Sequence, residues 1–187
     1  MTTYIPRIPY DVFASPAASV LLPVALGTAV GYSTRPKQTQ TTYAAMKQPP
    51  LRPPPQVFGP VWTLLYGLMG YASHRAVSRS GVLGAGSADS IRALYSLQLG
   101  LNLAWMPLFF GARRPVLALA DIVSLVGVNG YLTYLFFSVD EVAGWCMVPY
   151  MAWLGFATYL NAGVGYLNEW DISESTLATR KALGKTD

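Results

Sequence analysis

The stretch QPPLRPPPQVFGPVWTLLY, residues 48–66, packs six of the chain's 14 prolines into thirteen residues and then runs directly into apolar, aromatic sequence. A proline run fixes φ and removes N–H donors, which makes a stiff, extended segment whose carbonyls need water or partners. Such a segment belongs at an interface rather than in hydrocarbon. Pro49, Pro50, Pro53 and Pro54 are therefore expected to cap one mouth of a helical bundle, with Pro60 near the first turn of the helix that follows.

Composition defines the solvent that this helix expects. Of 187 residues, 52% are hydrophobic and only 12% are charged, against roughly 25% charged in an ordinary soluble domain. The charges cluster in short gaps between long uncharged runs. Five segments are long and apolar enough to be read as spans, since about 20 residues cross the hydrocarbon: 16–33, 56–77, 91–112, 115–138 and 142–168. The expected fold class is an all-α integral membrane protein, a bundle of five transmembrane helices. Residues 1–15 read as an N-terminal extension, 16–170 as the membrane domain and 171–187 as a polar, frayed tail.

An odd number of spans puts the termini on opposite sides. Arg7, Arg75, Arg79 and Arg92 fall on the N-terminal side and the other nine of the thirteen basic residues on the other, which predicts a cytoplasmic C-terminus. Pro23 is expected to kink the first span, where Gly27 and Gly31 offer a small-residue face for close helix contact. The net charge of +4 comes without a basic stripe interleaved with aromatics, which excludes a nucleic-acid partner. The lipid membrane is the expected one.

Cys146 is the single cysteine and His74 the single histidine, so no disulfide and no convergent metal-ligand set is expected. His74, followed by Arg75, reads as the wet end of a helix. There is no glycine-rich phosphate loop, Ser/His/Asp set or carboxylate pair with a water path. What remains is a set of polar groups at membrane depth: Gln98, Asn102, Asp121, Asn129 and Asn161. Gln98 and Asn102 stand four apart on one helix face and form a polar seam. Asn129 reads as glue between helices, and Asp121 is expected to face the interior and either find a donor or be protonated. Trp62, Tyr66, Trp105, Trp153 and Tyr159 lie inside spans rather than at their ends, as suits a pocket for a flat, largely apolar ligand.

Four stretches carry a family resemblance: KQPPLRPPPQVFGPVWTLLYGLMGYAS (47–73), LQLGLNLAWMPLFFGARR (97–114), ALAD (118–121) and PYMAWLGFATYLN (149–161). In order and spacing they resemble the translocator protein family, TspO/MBR, over residues 43–166. The resemblance implies a five-helix bundle, often a homodimer, that binds porphyrins, sterols or synthetic benzodiazepine-site ligands. No obligatory cofactor is implied; a porphyrin, the haem precursor, is the expected ligand. Carried over by motif, Trp62, Tyr66, Asn102, Trp105, Asp121, Trp153, Ala157 and Leu160 would line or support the pocket. Trp62 and Trp153 match a pair implicated in light-dependent porphyrin breakdown by some bacterial relatives, which makes photo-oxidation the alternative activity. A purely structural membrane partner is the third reading.

The chain also departs from the family pattern. Leu103 and Leu117 stand where tryptophans are usual, and Glu169 and Asp171 follow Tyr166 where a sterol motif needs a basic residue. The resemblance further implies the mitochondrial outer membrane if the source is eukaryotic.

Overall fold

The computed structural model describes residues 7–34, 36–83 and 86–183; residues 1–6 of the expected extension and 184–187 of the expected tail lie outside them. The described residues are helical, with no strand among them. Five long helices, α2 (Pro16–Ser33), α4 (Pro55–Arg79), α5 (Ser87–Met106), α6 (Pro115–Val139) and α7 (Glu141–Leu167), are joined by shorter ones: α1 (Tyr10–Ala14), α3 (Pro36–Ala45) and α8 (Glu174–Leu183). Three of the long helices, α2, α5 with its extension to Gly111, and α6, are long and apolar enough to cross a membrane. Helices α4 and α7 have the length, at 25 and 27 residues, but their tyrosines, tryptophans and, in α4, a charged last turn lower their hydropathy.

Local chemistry sets the helix ends. Ser15 accepts the Ala18 amide at 3.3 Å and Pro16 opens α2, the arrangement in which a missing N–H costs nothing. Helices α4 and α6 likewise open on Pro55 and Pro115. Helix α2 continues through Pro23 without interruption of its residue range. Pro107 cannot donate to the preceding turn, and α5 responds by widening into a π-turn over Pro107–Gly111, closed by Ala112 N to Pro107 O at 2.7 Å. Arg113, at φ 54°, then reverses the chain into α6.

Helix α2 packs along α4 and α6 along α7. The first contact is backbone-close, because a Cβ on Gly70 would collide with the Ser19 carbonyl and one on Gly27 with the Tyr66 ring. Phe13, Tyr95, Met69, Leu125, Leu132, Phe136, Met147 and Leu154 fill the centre.

The end of the bundle bearing the N-terminal segment is tied shut. Phe13 is 1% exposed and meets Tyr95 edge-on at 5.5 Å. Ile8 donates its amide to Ser96 Oγ at 2.9 Å, and Arg92 donates to the Ile8 carbonyl at 3.0 Å. His74 corrects the sequence expectation: it is half-buried, with Nδ1 2.6 Å from the Phe13 carbonyl. A carbonyl only accepts, so Nδ1 carries the proton and fastens the extension to α4.

Arg75 is likewise no surface residue. Its Nε and Nη2 donate to Asp140 at 3.1 and 2.9 Å, and Arg79 pairs with the same carboxylate. Asp140 is fully buried, and its Oδ1 also accepts the Ala143 amide at 2.8 Å, capping α7. One carboxylate thus starts a helix and anchors the end of another. The tail, too, is more than frayed chain: α8 follows a buried Ile172 and buries Leu177 beside Met46 and Phe109.

Removing the Asp140 carboxylate leaves a half-buried guanidinium without its acceptor and α7 without its cap. Asp140→Ala is expected to lose about 3–5 kcal/mol, as for a broken buried pair, while Asp140→Asn, which keeps a cap acceptor, loses less. Thermal unfolding in detergent checks this, and an unshifted midpoint for the alanine variant contradicts the assignment.

Candidate functional site

The interior is organised by one run of side-chain hydrogen bonds. Tyr66 Oη on α4 donates to Asn102 Oδ1 on α5 at 2.7 Å, and Asn102 Nδ2 donates to Tyr150 Oη on α7 at 2.8 Å. Tyr150 Oη donates onward to Gln98 Oε1 at 3.3 Å, which also receives Asn129 Nδ2 of α6 at 3.5 Å. Gln98, Asn102, Asn129 and Tyr150 are buried, and Tyr66 is 9% exposed. The expected seam of Gln98 and Asn102 is present, and the two tyrosines extend it across the bundle.

Beside this network lies a cavity of about 520 Å³, within the range of roughly 300–1,000 Å³ usual for small-molecule sites. Helical spacing builds its walls. From α4 come Phe58, Trp62 and Tyr66, four residues apart; from α5 and its π-turn, Asn102, Trp105 and Phe109; from α7, Trp153, Ala157, Leu160, Asn161 and Val164. Helix α2 presents Gly27, Thr28 and Gly31, so that one wall is nearly bare of side chains. A Cβ on Gly31 would meet nothing within 4 Å.

The rings hold one another at fixed angles. Trp62 stands perpendicular to Trp153 at 6.5 Å and tilts on Tyr66 at 5.5 Å; Trp105 stacks on Phe109 at 5.0 Å. Trp105 Nε1 donates to Asn161 Oδ1 at 3.0 Å, and Asn161 Nδ2 to the Pro115 carbonyl at 3.0 Å. Trp153 differs. Its Nε1 is buried, without contact to open space, and has no hydrogen-bond partner among the described residues.

The proline-rich segment closes the mouth. Tyr159 Oη donates to the Pro50 carbonyl at 2.9 Å and Tyr43 Oη to the Pro53 carbonyl at 3.3 Å, so phenols partner the carbonyls of a backbone that cannot form a helix. Pro49 is buried against Gly163, where any Cβ would intrude. Gln48 and Pro55 reach the cavity wall, whereas Pro49, Pro50, Pro53 and Pro54 form the layer outside it. Asn168 anchors the start of the segment through the Lys47 backbone, accepting from its N–H at 3.1 Å and donating to its carbonyl at 2.8 Å.

Of the residues singled out in the sequence, Trp62, Tyr66, Asn102, Trp105, Trp153, Ala157 and Leu160 converge on this cavity. Asp121 does not. The inward stripe of α6 runs through Ala118, Ile122, Leu125 and Asn129, and Ile122 and Leu125 are the α6 residues on the wall. Asp121 sits beside that stripe, half-buried, with Oδ2 lacking a hydrogen-bond partner among the described residues. Phe58, Phe109, Phe110 and Gln48 were not singled out. Phe58 and Phe109 stand four residues from Trp62 and Trp105, a spacing that carries the signal.

These features define a class: an all-helical membrane protein with an indole-lined internal cavity under a proline-rich cap. The pattern of the TspO/MBR family matches residues 19–167, and the chain belongs to that family. It is 42% identical over 163 residues to the translocator protein homolog of Schizosaccharomyces pombe, covering 85% of this chain and 98% of that one. The human translocator protein is 37% identical over 146 residues, 78% of this chain and 86% of its own. The tryptophan-rich protein TspO of Archaeoglobus fulgidus is 36% identical over 151 residues, 81% and 95% of the two chains.

If Asn168 holds the cap in register, Asn168→Ala removes two hydrogen bonds of about 1 kcal/mol each from the Lys47 backbone. Trypsin is then expected to nick the Lys47–Gln48 bond about thirtyfold faster in the intact, detergent-solubilised protein. An unchanged rate would show that the segment is held elsewhere.

Proposed function

We propose that the chain crosses the membrane five times, through α2, α4, α5, α6 and α7, and takes a flat, largely apolar guest of the tetrapyrrole or sterol type into the cavity beneath the cap. The observation that carries this reading is the cavity itself: three indoles surround a space of about 520 Å³ beneath a proline-rich lid. Indole faces stack on a planar conjugated ring. A tetrapyrrole suits this wall better than a sterol. Tyr166, the position from which a sterol motif would be read, is 77% exposed and is followed by the exposed Glu169 and Asp171 rather than a cation.

The names of the relatives, translocator protein among them, support movement of the guest rather than storage alone. The excess of basic residues at the cap end supports a cytoplasmic C-terminus, and the mitochondrial outer membrane is the proposed address if the source is eukaryotic. A second copy of the chain is the proposed protein partner.

The perpendicular contact of Trp62 and Trp153 favours one further reading, light-dependent breakdown of the bound porphyrin, in which the excited ring takes an electron from one of these indoles and dioxygen is the oxidant consumed. Bleaching of the porphyrin band under illumination that Trp153→Phe abolishes would support it; bleaching that Trp153→Phe leaves unchanged would not.

Titration of the reconstituted protein with protoporphyrin IX tests the main reading. Tryptophan fluorescence is expected to quench saturably, with Trp62→Ala and Trp153→Ala each weakening binding about tenfold, the equivalent of about 1.4 kcal/mol. Asp121→Asn, off the wall, is expected to stay within about twofold. A flat titration, or wild-type affinity in both tryptophan variants, contradicts this assignment.

A further inference from the structure

At the cap end a second, wider cleft of about 1320 Å³ lies between the end of α2, the π-turn after α5, the start of α6 and the segment leading into α8. It is unlike the inner cavity in chemistry, because Arg113, Arg114, Asp171 and Glu174 line it together with a set of hydroxyls. The two spaces are continuous in their walls. Thr39 and Phe110 belong to both, so an apolar compartment and a charged one meet across two side chains.

The charges in the cleft are not equally committed. Asp171 is engaged in starting α8, accepting Thr176 Oγ1 at 2.6 Å and the Ser173 amide at 2.9 Å. Arg113 donates through Nη1 to Glu174 Oε2 at 3.2 Å, and that carboxylate is 87% exposed while the arginine side chain is 25% exposed. So open an ion pair contributes little to stability and exchanges readily. The arginine, in contrast, is held at a defined point by the left-handed turn at φ 54° that reverses α5 into α6.

We propose that cavity and cleft form one bipartite site for an amphiphilic acid, whose flat apolar body enters the indole-lined cavity while its carboxylate pairs with Arg113, displacing Glu174. Guanidinium and carboxylate match as a two-point hydrogen-bonded pair. Glu174, on the first turn of α8, fills the same role from within the chain, which makes α8 a competitor for the anionic end of the guest. The inference rests on the reading of the cavity as the guest site and adds to it the class of guest and the residues that select it.

The test compares protoporphyrin IX with its dimethyl ester, equal in ring and different in charge, on the full-length protein in nanodiscs. Wild type is expected to bind the acid at least about fivefold tighter than the ester, a preference that shrinks with added salt. Arg113→Asn is the suitable variant, since asparagine tolerates the left-handed conformation. It is expected to remove the preference by weakening the acid alone. Glu174→Gln is expected to tighten the acid about threefold and leave the ester unchanged. The ester affinity reports that each variant retains its fold. If both guests bind equally and neither variant alters their ratio, the bipartite site is wrong while the cavity reading stands. If neither guest binds, the cavity reading fails and takes this inference with it.

Discussion

Tyr66, Asn102, Tyr150 and Gln98 pass hydrogen bonds from helix to helix at the centre of an apolar bundle, and the rest of the architecture depends on that sequence of contacts. A hydroxyl or amide in such surroundings loses heavily if it goes unpaired, so register and rotation of α4, α5 and α7 are fixed wherever these four groups must meet. Dispersion alone fixes far less, because lipid is as apolar as leucine. Both tyrosines direct their hydroxyls at one amide, and the glycine face of α2 lets the Tyr66 ring lie flat against it. The space above, toward the cap, is left to be enclosed by indoles that are too rigid to fill it.

The two ends of the bundle follow different physical logic. At the N-terminal end a buried carboxylate, two arginines, a histidine and a docked phenylalanine close the helices against one another. Few alternatives are open to such a cluster, since each charge depends on the others. At the cap end the closures are hydrogen bonds from two phenols and from Asn168 to the backbone of a proline-rich segment, with Pro49 packed on Gly163. That end is built from contacts that open individually. The proposed entrance for a guest is therefore this second end.

Helices α2, α5 and α6 were legible because an apolar run long enough to cross lipid is a strong signal, and α2 at 16–33 and α6 at 115–139 end close to the expected bounds; α4 and α7 were legible from their length, with lower hydropathy. The seam of Gln98 and Asn102 was legible from their spacing alone, but its tyrosine partners were not, since aromatic residues in a span read equally well as packing. Asp140 escaped notice because it stands between two spans, where a carboxylate ordinarily meets water; only its place before α7 marked it as a cap. His74 and Arg75 were misread for a related reason. The segment that holds His74, residues 8–14, carries Pro9 and Asp11 and looks like an exposed leader, while the partner of Arg75 is the unnoticed Asp140. Asp121 shows the limit of motif reasoning: one residue from Ile122, it lies about 100° away around the helix, enough to miss the wall. The short α3 and α8 left little trace, because their polar faces give weak periodicity and their stability comes from docking.

The central claim is that Asn102 couples Tyr66 to Tyr150, so the decisive measurement is a double-mutant cycle of Tyr66→Phe and Tyr150→Phe on unfolding stability in detergent. The account predicts a non-additive pair, with a coupling energy of about 0.5–3 kcal/mol. Losses that add to within about 0.3–0.5 kcal/mol would contradict it, because two hydroxyls sharing one amide cannot be independent.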